Sequence, residues 1–232
     1  NGNGNGSAPI VVDLTELGFD CASLGSLKAR GYSGGSACIR LDAFEPSAAE
    51  LSFRRHDATA GRADGAPADT QMDLARFPNR APGPGASTAS WESVGALANK
   101  SAFKLGVGAT ARAARWDEEL RAGGYPLFAH GLWDWNWADA HRAVLGADAA
   151  SGVLSVGDDD QADRDAPLKE GGHFYLYNAL SELDAPGEYH IDPSSLTLRF
   201  LPPPAAAPAP SPGATCAWSV EVSRSDTPGV VW

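Results

Sequence analysis

The sequence predicts a mostly β protein, and three observations carry that expectation. Around Asp192-Pro193-Ser194-Ser195 the pattern alternates strictly. Tyr189 and Ile191 point one way and His190 and Asp192 the other, then Leu196, Leu198 and Phe200 alternate with Thr197 and Arg199. A period of two on both sides of a short loop marks a hairpin with one buried face. The chain holds 26 glycines and 17 prolines in 232 residues, which favours frequent turns over long helices. The remaining apolar runs are short and bounded by turn residues, and 43% hydrophobic residues suffice for a core.

Taken in order, residues 1–8 repeat Asn-Gly and are expected to form a flexible tail. Pro9 to Asp13 is a first strand, and Cys38 to Leu41 and Glu50 to Arg54 are further ones. Residues 56–70 are polar and featureless, a surface loop. Met72 to Asn79 reads as one strand ended by Pro78, followed by a Pro/Gly/Ser linker over 80–90. Asp117 to Ala122 is a turn or two of helix, with Asp117 as cap and Gly123 as stop. Val144 to Ala147 and Val153 to Val156 form a hairpin around Asp148-Ala-Ala-Ser-Gly152. Residues 157–170 are acidic and loop-like. The hairpin of 187–201 follows, then a polyproline-type run, Pro202 to Pro212. Its Ala-Pro and Ser-Pro steps resemble the wall-glycoprotein segments of plants and green algae. Ser219 to Ser223 and Gly229 to Trp232 read as strand beginnings, and the chain is expected to be a piece of something longer.

Net charge is −11 and the isoelectric point about 4.8. Such a surface repels phosphate backbones and anionic membranes, so neither nucleic acid nor membrane insertion is expected. No segment approaches the roughly 20 apolar residues that cross a bilayer. Cys21 and Cys38 enclose a short Gly/Ser-rich loop and are expected to form a disulfide. That leaves Cys216 for an intermolecular bond, a free thiol or a partner outside the chain. Three reduced cysteines in a cytosolic protein is the competing reading. Asn99-Lys100-Ser101 is an N-glycosylation triplet, and with the cysteines it points to a secreted, extracellular protein.

Five of the seven tryptophans fall within residues 91–146. Trp133, Trp135 and Trp137 recur at a spacing of two, so on a strand they would share one face. Coplanar indoles can stack on sugar rings, with Asp134 and Asp139 taking hydroxyl hydrogen bonds. The competing reading is an aromatic core, each ring burying about 150–250 Å². Glycoside hydrolysis needs two carboxylates about 5–10 Å apart, and Asp134 with Asp139 and Asp184 with Glu188 are the pairs placed in motifs. For each, backbone hydrogen bonding is the simpler role. Asp158, Asp159 and Asp160 can offer oxygens to Ca²⁺ but lack the spacing and glycine of a calcium loop; a solvated acidic loop is the plainer reading. The histidines His56, His130, His141, His173 and His190 show no metal-ligand spacing, so no zinc site is expected. Nucleophile elbows and phosphate loops are absent from the sequence.

Three segments carry a family resemblance. Met72-Asp-Leu-Ala-Arg-Phe-Pro-Asn79, Gly131-Leu-Trp-Asp-Trp-Asn-Trp-Ala-Asp139 and Phe174-Tyr-Leu-Tyr-Asn-Ala-Leu-Ser-Glu-Leu-Asp-Ala-Pro-Gly-Glu-Tyr189 resemble, in order, landmarks of secreted right-handed parallel β-helix (pectin-lyase-like) proteins related to glycoside hydrolase family 141. The resemblance covers about residues 70–203. It implies opening β-helix strands and loops over 9–90, a β-rich insertion domain over 91–170, and a return strand and hairpin over 171–201. A Pro/Ala-rich segment over 202–213 and the start of further coils over 214–232 would follow. In that family the catalytic carboxylates lie on the later coils, so this chain is expected to shape a polysaccharide groove and not to cut. The resemblance implies α-fucoside or xylan-type substrates. A structural or adhesive module of an extracellular assembly, bound to other chains, and a free-standing carbohydrate-binding domain remain as alternatives. The tryptophans coincide with the second landmark, which favours core packing for them.

Overall fold

A computed structural model describes residues 8–18, 51–55, 69–80, 90–123, 125–157, 167–192, 194–202 and 218–222. These contain fifteen strands, two α-helices and two 3-10 turns, so the protein is mostly β as expected. The described residues fall into two compact units, with the breaks at Leu74/Ala75 and Glu182/Leu183.

The first unit holds a four-stranded sheet in the order β1 (Ile10–Asp13), β14 (Thr197–Phe200), β13 (Glu188–Asp192), β4 (Asp73–Leu74). The expected hairpin is β13–β14, with Tyr189 opposite Phe200 and Asp192 opposite Thr197. Asp192 shapes its turn by accepting from the Ser194 and Ser195 N–H groups at 2.9 and 3.3 Å. Tyr189, Leu198 and Phe200 join Leu14 and Met72 in a small core, each large side chain contributing about 1.5–3 kcal/mol by burial. His190 lies on the opposite face, also fully buried. Asp13 caps the 3-10 turn Leu14–Leu17 through Thr15 N–H at 2.9 Å. The β4–β13 pair is parallel, Asp73 opposite Glu188 and Leu74 opposite Tyr189; every other pairing among the described residues is antiparallel. A separate sheet joins β15 (Trp218–Val222), β2 (Leu51–Arg55) and β3 (Asp69–Gln71).

The second unit is built on an eight-stranded sheet. Its main path is β5 (Arg76–Phe77), β12 (His173–Tyr177), β9 (Phe128–Leu132), β10 (Ala140–Asp148), β11 (Val153–Val156), β8 (Ala102–Lys104), β7 (Leu97–Asn99), and β6 (Glu92–Ser93) pairs beside β12. The β10–β11 hairpin turns at Asp148, which accepts from Ala150 and Ser151 N–H. Two helices, α1 (Val107–Thr110) and α2 (Ala113–Ala122), are linked to the sheet through Ala109, Ala113 and Trp116, which lie in its core cluster. Trp116 is fully buried and donates to buried Glu182 at 2.7 Å, which is also paired with Arg112.

Two local expectations are corrected. Met72 to Asn79 is not one strand: β4 and β5 are separated by Ala75 and belong to different sheets, because their partners, β13 and β12, differ. Asp117 is not a cap; α2 begins a turn earlier, after Arg112 with no side-chain cap, and Asp117 lies inside the helix paired with Arg121. Gly123 does end the helix, at φ 67°.

Candidate functional site

The three central strands β12, β9 and β10 have two distinct faces. Register puts Ala129, Gly131, Ala140, Phe174 and Leu176 on one, and these lie in or against the apolar core. Phe128, His130, His141, Tyr175 and Tyr177 fall on the other, with Arg76 opposite Tyr177. The first face carries the fold, and the second carries polar and aromatic groups in a row.

β9 ends at Leu132, and there the chain changes direction. Trp133 folds back into the core, fully buried, donating Nε1–H to the Ala140 carbonyl at 2.9 Å and stacking on Phe174 at 6.1 Å. The following turn is closed by Ala138 N–H on the Trp135 carbonyl at 3.3 Å. It carries Trp135 and Trp137 outward, 48% and 61% exposed, with ring centroids 6.0 Å apart and planes at 37°. The three indoles therefore do not share a face. A spacing of two places side chains together only on a strand, and these residues occupy a turn. Trp133 is a core residue and Trp135 and Trp137 a surface pair. Asp134 receives Lys169 Nζ at 2.9 Å.

Asp139, just before β10, faces the polar-aromatic side of the sheet. Its Oδ2 lies 2.8 Å from His130 Nε2 and 3.9 Å from His141 Nε2. The two imidazoles are cross-strand partners, with centroids 4.0 Å apart. Each presents its other nitrogen to a tyrosine hydroxyl: His130 Nδ1 to Tyr175 at 2.7 Å and His141 Nδ1 to Tyr177 at 2.8 Å. Trp91 lies edge-on to both His130 and Tyr175, and the Arg76 guanidinium lies over the Tyr175 ring at 3.5 Å. The aromatic cage fixes the orientation of each ring. His141 is nearly buried, while Asp139 is about one-third exposed, so the cluster sits just below the surface.

Sequence reasoning singled out Asp139 and missed its partners. His130 and Asp139 are nine positions apart, and only the β9–β10 register brings His130 opposite His141. Alternation of histidine and tyrosine on neighbouring strands was the available signal, and it has meaning only once pairing is known. Asn99 of the glycosylation triplet is exposed at the β7–β8 corner, its Oδ1 accepting from Ser101 N–H at 2.8 Å. Glu188 accepts from the backbone N–H groups of Asp184 and Ala185 at 3.2 and 3.0 Å, the backbone role expected of that carboxylate. Cys21, Cys38, Cys216 and Asp158, Asp159 and Asp160 lie outside the described residues.

No protein-family model matches the chain, and no curated protein matches it. A solved structure named "Glycoside hydrolase" is similar at 12% sequence identity and a TM-score of 0.44, over 75% of this chain and 26% of that one. The chain thus spans about a quarter of the length of that structure, and a likeness at this level says nothing of function.

Proposed function

We propose that the chain is a glycan-binding, non-hydrolysing module of a secreted protein, the early part of a right-handed β-helix related to glycoside hydrolase family 141. The Trp135–Trp137 pair carries this reading. Two neighbouring indoles are held largely in water at 48% and 61% exposure, although tryptophan gains most from burial. The turn presenting them is anchored by a fully buried Trp133, so the pair is displayed on a fixed base. Apolar sugar-ring faces suit such rings, and Asp134, next to Trp135 in sequence, keeps further lone pairs for hydroxyl groups beyond its pairing with Lys169.

The parallel pairing of β4 with β13 supports the β-helix part of the reading, because successive coils of such a helix pair in parallel. The described residues of the second unit, within 75–182, lie between these strands in sequence, as an insertion would. Exposure of Asn99 at a hairpin corner supports a secreted chain open to glycosylation. Polysaccharide or glycoprotein glycans, of xylan or fucosylated type, are the ligands this reading implies.

Binding of the full chain to an array of wall and matrix glycans tests it. Binding to a defined glycan class, lost in the Trp135→Ala/Trp137→Ala double variant with circular dichroism unchanged, is expected. Absence of binding to every glycan would overturn the reading in favour of a structural or adhesive module, which the proline-rich run and Cys216 favour.

A further inference from the structure

We infer that His130, His141 and Asp139 form a binding site for one divalent first-row transition-metal ion of the zinc type, with a fourth position open to solvent. The inference does not depend on glycan binding. It rests on three residues, two histidines and an aspartate, that each offer one donor atom within 4.8 Å of the others, and on the Nε2 of both imidazoles standing near the same Asp139 Oδ2. A tetrahedral ion with bonds of about 2.0–2.1 Å sets its ligand atoms about 3.3 Å apart. Asp139 Oδ2 stands at 2.8 Å from one imidazole and 3.9 Å from the other, one distance on each side of that value. Shifts of about half an ångström in a partly exposed carboxylate would complete the geometry.

The groups behind the donors point the same way. A metal-binding imidazole uses one nitrogen and donates from the other to an oxygen acceptor, which sets its tautomer. Here both Nδ1 atoms meet a phenol oxygen, at 2.7 and 2.8 Å, from Tyr175 and Tyr177 respectively. With the proton on Nδ1 and donated to the phenol, each Nε2 lone pair is directed towards Asp139. A hydrogen-bonded Asp139–His130 pair by itself would use one histidine; the second histidine–tyrosine pair at the same carboxylate is what a metal site needs. Two imidazoles with one carboxylate suit zinc-like ions over Ca²⁺ and Mg²⁺, which prefer all-oxygen sites. Three protein donors leave one coordination position for water, and the one-third exposure of Asp139 gives solvent a way in.

The test is Zn²⁺ titration of the metal-stripped full chain by calorimetry, with cysteines alkylated to remove competing thiolates. Co²⁺ then reports coordination through its visible absorption. One equivalent of Zn²⁺ bound, with tetrahedral Co²⁺ bands, is expected. Asp139→Asn and His141→Gln should each weaken binding at least about tenfold, and Tyr177→Phe by about tenfold, while Asp134→Asn leaves it unchanged. Asp139→Asn lies before the strand and is the variant least able to disturb folding; unchanged circular dichroism and urea midpoint confirm that. Absence of binding by the wild-type chain, or equal binding by well-folded Asp139→Asn, would overturn the inference and leave a hydrogen-bonded histidine–aspartate network.

Discussion

Gly131→Ala tests how the turn that displays the tryptophan pair is anchored. A methyl group at Gly131 would lie within 2.6 Å of three atoms of the Trp133 ring, whereas carbon–carbon contacts settle at about 3.5–4.0 Å. The indole would have to retreat by about 1 Å. It is fully buried, stacked on Phe174 and tied to the Ala140 carbonyl, so no empty space receives it. Overpacking of this kind costs about 1–3 kcal/mol. Expulsion of the ring would cost about 3–5 kcal/mol, by analogy with Trp→Ala in a core, and sets the ceiling. Gly146→Ala is the matched control, because a methyl group there meets nothing within 4 Å. Urea denaturation followed by tryptophan fluorescence should place Gly131→Ala at least about 1 kcal/mol below Gly146→Ala, or about 2–4 °C in melting temperature for a chain of this length. Equal stability of the two variants would refute the placement of Trp133 beneath β9.

Glu182→Ala should destabilise the second unit by about 3 kcal/mol, the lower end for breaking a buried ion pair because Arg112 is 27% exposed and can rehydrate; Glu182→Gln, which keeps an acceptor for the Trp116 indole, should cost less. A chemical-denaturation midpoint for Glu182→Ala equal to wild type would contradict the burial of that carboxylate. Burial, reinforced by nearby Arg199 and opposed by Asp192, holds the His190 imidazole down at about 4. The unfolded chain therefore takes up this proton first, and stability should fall as pH drops from about 6.5 to 4, by an amount on the order of 3 kcal/mol. Urea midpoints measured across that window should slope in wild type and flatten in His190→Leu; parallel slopes would rule out a buried neutral imidazole. At Asp192, burial pushes the carboxyl up, but the hydroxyls and N–H groups of Ser194 and Ser195 outweigh it and leave the group below its ordinary value. Its contribution should be present above about pH 4 and lost below, and Asp192→Ala should cost about 0.5–1.5 kcal/mol by thermal denaturation; an unchanged melting temperature would show the turn does not need it.

The hairpins were legible because turn chemistry and alternation agreed. Asp192 and Asp148 each bind backbone N–H groups two and three residues on, which is why their residue types mark turns. The stop of α2 was legible from Gly123, but its start was not, since Arg112 offers no capping side chain. Residues 72–79 looked like one strand because the sequence does not reveal that the chain changes sheets at Ala75. The tryptophan row is legible only in part for a related reason: a spacing of two gives a shared face on a strand alone, and the strand ends at Leu132, so Trp133 is core and the other two are not. Phe128, His141 and Tyr177 are buried on the face opposite the core, so both sides of the sheet are covered and polarity gives no alternating signal. The His130–His141–Asp139 cluster follows from strand register, a long-range property that neither spacing nor composition carries.

The most direct measurement is a tryptophan-fluorescence titration of the full chain with the glycan class selected on the array, compared with Trp135→Phe, Trp137→Phe and the double variant. A saturable change in wild-type emission that shrinks in each single variant and vanishes in the double variant is expected if sugar rings stack on the surface pair. A full-sized, saturable change in the double variant would place the glycan elsewhere and contradict the account.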